Sequence, residues 1–216
     1  MTNDAKTNYQ SAVVAGNYDR TRFSGFKGRL FAYLQLRSFK TLLKAADANT
    51  VLDVPCGTGR ILEALPHYKH RIIGVDISPS MLSIARKKLD KLNLPYPLMI
   101  MDADNLAFKD NAIDCISSLK FFHLLPPTIQ RIAIGEFRRV ANKTLILSIP
   151  VVEKRDYEST DAKTNRVKLF RKKHFIRELR KRLQIDGLEI MDLRYTLRFL
   201  SNDSVVLMRK VDDRSR

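Results

Sequence analysis

A glycine loop within residues 51–60 combines a strand-like apolar run with residue types that bind ligands. Gly57 and Gly59 follow the apolar run, and a helix is expected to begin directly after them. Glycines let the backbone approach a ligand closely, and the first N–H groups of a helix are free to bind it. Asp53 lies inside the run, where an unpaired buried carboxylate would be costly, so we interpret it as a binding residue.

A second acidic residue, Asp76, ends the next apolar run, seventeen positions after Gly59. A carboxylate at about this spacing behind a glycine loop typically accepts hydrogen bonds from ribose hydroxyls. Asp76 could instead cap the helix that is expected to begin at Pro79, but Ser78 already supplies that cap. The loop and the acid together therefore predict a nucleoside-containing ligand.

Two residues near the loop narrow the choice of ligand. The dinucleotide fingerprint has a third glycine three positions after the second, and Leu62 stands there, which disfavours a dehydrogenase. A pyrophosphate gains nothing from Asp53, whereas a cationic ligand is stabilised by it. S-adenosylmethionine carries a sulfonium and an ammonium group and therefore suits an acid at this place.

Short apolar runs alternate with helical segments over most of the chain, which predicts an α/β fold with a doubly wound, mostly parallel, seven-stranded sheet. The runs fall at 50–54, 71–75, 97–101, 112–117, 144–149, 188–193 and 204–208. The last two are close together and predict an antiparallel C-terminal hairpin. Helices are expected at 31–46, from Pro79, at 127–140, and along the stripe Phe175, Ile176, Leu179 and Leu183.

We expect one domain over residues 1–216. Its parts would be an N-terminal arm and helix at 1–46, a cofactor-binding core at 50–150, a basic connection and helix at 151–183, and C-terminal strands at 187–210.

With these elements in order, the chain resembles the class I S-adenosylmethionine-dependent methyltransferases, in particular the small-molecule group that includes quinone-biosynthesis enzymes. Residues 51–60 resemble the family's first motif and residues 73–82 its second. Asp102 and Ala103 resemble its adenine-contacting step, and residues 112–126 its fourth strand and following loop. Residues 18–20, Tyr-Asp-Arg, are similar to the opening segment of that group. The resemblance implies a Rossmann-like methyltransferase fold and S-adenosylmethionine as cofactor.

The resemblance also implies roles for individual residues. Asp53, Gly57 and Gly59 would line the methionine part of the cofactor, and Asp76 would hold both ribose hydroxyls. The adenine would contact Ile77, Met81, Asp102 and Ala103. The set of cofactor-binding candidates is completed by Pro55, Cys56, Thr58, Leu119 and, as part of a covering arm, Tyr18. Pro55 departs from the family pattern, because it stands where the first glycine of the motif is usual.

His123 is the candidate general base, since its unperturbed pKa suits proton removal near neutral pH. The alternative is a packing or hydrogen-bonding role. No group of His and carboxylate residues has metal-ligand spacing, so we expect no metal site.

The chain carries a large positive charge of +16, and residues 154–182 hold twelve Lys and Arg against four Asp and Glu. Half of the excess charge therefore lies in this segment. It could bind an anionic substrate, RNA or an anionic membrane surface, or simply form a solvated face.

These features favour transfer of a methyl group to a small-molecule acceptor, anionic or lipid-like. The alternatives are an RNA methyltransferase and a non-catalytic, cofactor-binding partner subunit. Amino-directed DNA methylation is disfavoured. Enzymes of that class resemble one another in an Asn/Asp-Pro-Pro-aromatic motif after the fourth strand, and residues 118–122 lack it. Two cysteines, no secretory pattern and no apolar stretch of membrane-spanning length predict a cytoplasmic protein without an integral membrane segment. The oligomeric state stays open.

Overall fold

A mixed sheet forms the centre of the computed structural model, which describes residues 25–65, 71–152, 174–175, 179–180, 187–196 and 203–211. The strands in chain order are β1 (Thr50–Asp53), β2 (Arg71–Asp76), β3 (Leu98–Ile100), β4 (Ile113–Ser118), β5 (Ala141–Val152), β6 (His174–Phe175), β7 (Leu188–Tyr195) and β8 (Asp203–Lys210). Seven of them lie side by side in the order β3-β2-β1-β4-β5-β8-β7, and β6 pairs with β5 outside this path. The predicted seven-stranded, mostly parallel sheet is confirmed.

The described helices are α1 (Gly25–Ala45), α2 (Arg60–Glu63), α3 (Pro79–Lys91) and α4 (Pro127–Val140), with a 3-10 turn at Phe122–Leu124. The predicted start of α3 is confirmed, because Ser78 Oγ accepts a hydrogen bond of 3.3 Å from Met81 N and Pro79 takes the first helical position. None of the described helices combines the length and apolarity needed to cross a membrane.

Successive strand residues alternate between two hydrophobic cores, one on each face of the sheet. Leu52 belongs to the core that contains Phe137 of α4. Its neighbour Val51 belongs to the core that contains Phe39 of α1 and Leu89 of α3. Both faces of the central strands are therefore covered by helices, which explains why these strands are continuous apolar runs.

The C-terminal strands form the predicted antiparallel pair, but the second of them lies inside the sheet. β8 is antiparallel to both of its neighbours, β5 and β7, so β7 becomes the edge strand. The burial of the two strands matches these places. Residues 204–208 of β8 are all buried, whereas Leu188 is the one buried residue of β7 and the rest of that strand is half-buried or exposed.

The helix predicted along Phe175, Ile176, Leu179 and Leu183 is wrong at its start. His174 and Phe175 form β6, which pairs in parallel with Val151 and Val152. β5 is longer than expected and supplies these partners, so strand pairing prevails over the helical spacing. Leu179 and Arg180 are helical. Ile176, Leu183, Tyr18 and most of the basic segment 154–182 lie outside the described residues.

Candidate functional site

A cavity lies at the carboxyl ends of β1, β2, β3 and β4, where ligands bind in open parallel sheets. Most of the predicted cofactor-binding residues line it: Asp53, Pro55, Cys56, Gly57, Thr58, Asp76, Ile77, Met81, Asp102, Ala103 and Leu119. Gly59 is absent from the cavity wall and is the N-cap residue of α2. The structure thus brings together residues that are far apart in the sequence, because four parallel strands end at one edge.

The glycine loop is held between β2 and α3 by its backbone. Cys56 N donates to Val75 O at 2.8 Å, and Gly59 N donates to Cys56 O at 3.0 Å. Gly57 and Gly59 have φ angles of 55° and 78°, in the left-handed region. A Cβ on Gly59 would lie 3.0 Å from Cβ of Ala85, whereas one on Gly57 would meet nothing within 4 Å.

We expect alanine at Gly59 to destabilise the fold more than alanine at Gly57. Both substitutions cost about 1–2 kcal/mol, because a side chain is strained in the left-handed region. Alanine at Gly59 adds a close contact with Ala85, which costs a further ~1–3 kcal/mol. Urea denaturation measures both free energies of unfolding. Equal values for the two variants would contradict the close packing of the loop on α3.

The Asp76 carboxylate is buried and holds the loop to the start of α3. Its Oδ2 accepts from Gly57 N at 2.8 Å, and its Oδ1 accepts from Ser78 N at 2.9 Å. Burial raises the pKa of this carboxyl, and the backbone hydrogen bonds act against that rise. Two carboxylate oxygens offer about four acceptor positions, so Asp76 keeps capacity for two ligand hydroxyls in the cavity.

The Asp53 carboxylate is 1% exposed and lines the same cavity. Its Oδ1 accepts from Ser117 Oγ at 2.7 Å. Among the described residues, none donates a hydrogen bond to its Oδ2. Burial raises the pKa of Asp53 to about 7, while Ser117 and the Arg60 guanidinium lower it. A buried oxygen without a donor at the cavity wall is suited to a cationic ligand group.

Two cationic side chains, Arg60 and Lys120, also line the cavity and share a set of hydrogen bonds that we call the Asp203 network. Arg60 donates to Gln35 Oε1 at 2.8 Å, and Gln35 Nε2 donates to Asp203 Oδ2 at 2.9 Å. Lys120 Nζ donates to the same Asp203 oxygen at 2.7 Å. The network therefore orients two positive charges beside a cavity that also holds the Asp53 carboxylate.

The backbone of Lys120 is unusual for a residue with a side chain. Its φ angle is 61°, and its N–H donates to Ser148 Oγ at 2.6 Å. Strained backbone of this kind concentrates at functional sites. Sequence reasoning missed Lys120 and Arg60, although Arg60 follows the glycine loop directly.

A second group of cavity residues is apolar and was also missed. It comes from the end of β3, the loop after β4, and α4: Met101, Phe121, Leu124, Leu125, Ile129 and Ala133. Gln130 holds the shape of this wall, because its Nε2 donates to Phe122 O at 2.7 Å and to Leu125 O at 3.0 Å. One side of the cavity therefore suits the apolar body of a second molecule.

His123 is half-buried in the 3-10 turn and is absent from the cavity wall, so its role as general base stays a prediction. Cys56 does line the cavity. Burial, Asp53 and Asp76 raise the pKa of its thiol well above the ordinary value, which leaves it protonated and poorly nucleophilic.

Comparison with known proteins shows which domain the cavity-forming part of the chain is similar to. Residues 51–144, from β1 into β5, match the family model of a methyltransferase domain. In this segment the chain is similar to the class I S-adenosylmethionine-dependent methyltransferases. The matched segment contains the glycine loop, Asp76, Asp102 and the loop after β4.

Curated relatives of the chain include two enzymes of different chemistry. It is 35% identical to a phosphatidylethanolamine N-methyltransferase of Cereibacter sphaeroides over 45% of this chain and 48% of the relative. It is 32% identical to a ubiquinone/menaquinone biosynthesis C-methyltransferase of Burkholderia multivorans over 59% of this chain and 52% of the relative. The chain spans about half the length of the curated relatives it matches.

A solved structure shows the same fold over nearly the whole chain. It is the magnesium protoporphyrin IX methyltransferase of Synechocystis PCC 6803 with bound S-adenosylmethionine. The two are 21% identical with a TM-score of 0.71, over 96% of this chain and 97% of that chain.

Proposed function

We propose that this protein is a methyltransferase that binds S-adenosylmethionine in the cavity and transfers its methyl group to a small-molecule acceptor with an apolar body. The observation that carries the proposal is the pair of buried carboxylates, Asp53 and Asp76, at two places in one cavity. Asp76 keeps acceptor capacity for a ribose diol, and Asp53 Oδ2 has no donor among the described residues. A ligand with a nucleoside at one end and a cation at the other would contact both carboxylates, the ribose at Asp76 and the cation at Asp53.

The remaining cavity residues fit the other parts of such a ligand. Ile77, Met81 and Ala103 offer apolar contact for an adenine ring, and Asp102 offers an acceptor for its amino group. Arg60 and Lys120 are the cations available for the carboxylate of the methionine part. Asp53 then pairs with the ammonium group. The methionine end of the cavity thus offers a negative charge for the ammonium group of the amino acid and positive charges for its carboxylate.

The reaction needs little from the protein beyond position. When bound, S-adenosylmethionine would supply a methyl group on a positively charged sulfur; the acceptor atom bonds to the methyl carbon in line with the carbon–sulfur bond, and the sulfur leaves as the thioether of S-adenosylhomocysteine. The apolar wall that contains Phe121, Leu125 and Ile129 would hold the acceptor and exclude water. Two relatives, named for phosphatidylethanolamine N-methylation and for C-methylation in ubiquinone/menaquinone biosynthesis, support an acceptor with an apolar body.

Replacing Lys120 with methionine tests the assignment of the carboxylate. We expect S-adenosylhomocysteine to bind about 10- to 100-fold more weakly, because one charge-assisted hydrogen bond contributes about 1.5–3 kcal/mol. Methylthioadenosine has no amino acid part, so its affinity should stay the same. Calorimetry with both ligands measures the difference, and Lys143→Met, at an exposed position near the start of β5, is the matched control. Equal losses for both ligands would contradict the assignment.

The activity itself is tested by radiolabel transfer from S-adenosylmethionine into a cell extract, with Asp76→Ala as control. Label in lipids or other small molecules, absent with the variant, supports the proposal and lets mass spectrometry identify the product. Label that RNase releases would overturn the acceptor class in favour of RNA. Cofactor binding without transfer into any fraction, across extracts grown under several conditions, would favour a partner subunit.

A further inference from the structure

One side of α1 carries a stripe that does not hold the helix to the sheet. Its members follow each other at alternating spacings of four and three residues, so they lie along a single helix face. We call this set the α1 stripe: Phe26, Leu30, Tyr33, Arg37, Lys40 and Lys44. The buried side of α1 is a different face, formed by Gln35, Phe39, Leu42 and Leu43.

The first half of the α1 stripe is apolar and exposed. Phe26 is 76% exposed, Leu30 39% and Tyr33 62%. Scattered exposed apolar residues are ordinary, but three successive members of one helical stripe make a continuous apolar surface. Removing such a surface from water lowers the free energy of the system.

The second half of the stripe and the flanks of α1 are basic. Arg37, Lys40 and Lys44 continue the stripe, and Lys27 and Arg29 lie beside its apolar half, all exposed. Gly25–Ala45 contains no Asp or Glu, so every formal charge of the helix is positive. A surface that combines apolar and aromatic side chains with basic residues is typical of helices that lie in the interface of an anionic membrane.

The stripe adjoins the cavity through the same helix. Phe31 follows Leu30, and its ring centroid lies 4.2 Å from Lys120 Nζ. Lys120 itself lines the cavity. A surface against which the first half of α1 docks would therefore lie next to the wall of the cavity.

We propose that the α1 stripe docks on the surface of a bilayer that contains anionic lipids. Phe26, Leu30 and Tyr33 insert at the headgroup level, and the basic residues contact lipid phosphates. Charge complementarity selects this occupant, since α1 has no acidic residue and the chain has an excess charge of +16. Where the proposed function holds, docking brings the cavity to acceptors dissolved in the lipid; the docking itself does not depend on it.

Sedimentation of the full chain with lipid vesicles tests the proposal. We expect at least about tenfold stronger binding to vesicles of phosphatidylcholine mixed with phosphatidylglycerol than to phosphatidylcholine alone, and release by high salt. The triple variant Phe26→Ser, Leu30→Ser, Tyr33→Ser should lose about tenfold or more in affinity for the mixed vesicles. The double variant Lys40→Glu, Lys44→Glu should lose a similar factor at low salt.

Matched controls change the same residue types elsewhere on the surface. Ile132→Ser with Met191→Ser removes exposed apolar side chains from α4 and β7, and Lys87→Glu with Lys91→Glu inverts charges on α3. Both controls should bind like the wild type. Binding that is absent in the wild type, or reduced equally in stripe and control variants, would overturn the proposal. So would a loss of self-association, rather than of vesicle binding, in the stripe variants.

Binding of S-adenosylhomocysteine, measured on the same variants, separates this proposal from the proposed function. The stripe variants should bind it as the wild type does, because the stripe lies outside the cavity wall. A wild type that sediments with anionic vesicles but binds no S-adenosylhomocysteine would contradict the proposed function and still support the docking surface.

Discussion

Alanine at Asp76 is expected to weaken the binding of S-adenosylhomocysteine about 100-fold or more. Two hydrogen bonds from ribose hydroxyls to a buried carboxylate contribute about 1.5–3 kcal/mol each, and every 1.4 kcal/mol is a factor of about ten. The substitution also removes the acceptor of Gly57 N and Ser78 N, which loosens the glycine loop. Calorimetric titration measures the affinity.

The control for Asp76→Ala is Asp90→Ala, which removes an exposed acid from α3 and should leave affinity unchanged. Thermal denaturation of both variants separates a lost ligand contact from a lost fold. Asp76→Asn keeps the size of the side chain and is the second test. A folded Asp76→Asn variant that binds with wild-type affinity would contradict the role of the carboxylate.

Asparagine at Asp53 is expected to abolish the pH dependence of cofactor binding between about pH 5 and 7 and to lower affinity at neutral pH. The ammonium group of the cofactor requires an ionised Asp53 carboxylate, but the pKa of Asp53 in the free protein is about 7. Each unit of pH below 7 therefore weakens binding about tenfold in the wild type, because a proton must first leave. The asparagine variant has no such proton, so its affinity should be flat over this range.

The same substitution should have the opposite effect on stability. The pKa of Asp53 is raised from 3.8, its value in the unfolded chain, to about 7 in the folded protein. The protonated acid therefore makes its full contribution to the stability of the free protein below pH 3.8. That contribution is lost as the pH rises through about 7, where the buried group must ionise. Asp53→Asn should therefore raise the free energy of unfolding above pH 7, by on the order of 1 kcal/mol or more.

Chemical denaturation of the free protein at several pH values measures this gain. Asp114→Asn is the matched control, since the pKa of Asp114 is lowered by its hydrogen bonds and its loss should destabilise instead. An Asp53→Asn variant that is less stable than the wild type above pH 7 would contradict the cost of this buried carboxylate.

The strands and the acids at their ends could be predicted because their signals are local. Continuous apolar runs such as 50–54 and 144–149 indicate strands buried on both faces. Asp76 is informative because a strand end, a glycine loop and a capped helix lie close to it in the sequence. The position of β8 between β5 and β7 was not predicted, although residues 204–208 are wholly apolar apart from Ser204, which is typical of an inner strand.

The Asp203 network was beyond sequence reasoning because its members are distant in the chain. Gln35 and Asp203 are separated by 168 positions, and Lys120 and Asp203 by 83. Nothing local distinguishes Gln35 from a solvated residue of an amphipathic helix, yet it is fully buried. Its amide bridges Arg60 and Asp203, so tertiary contacts alone define its role.

The crystal structure of the protein with S-adenosylhomocysteine tests the central claim most directly. We predict that both ribose hydroxyls lie within about 3 Å of the Asp76 carboxylate and that the ammonium group lies at the same distance from Asp53 Oδ2. The carboxylate of the ligand should face Lys120 and Arg60. A ligand bound elsewhere, or bound in the cavity with its nucleoside away from Asp76, would contradict the assignment of this site.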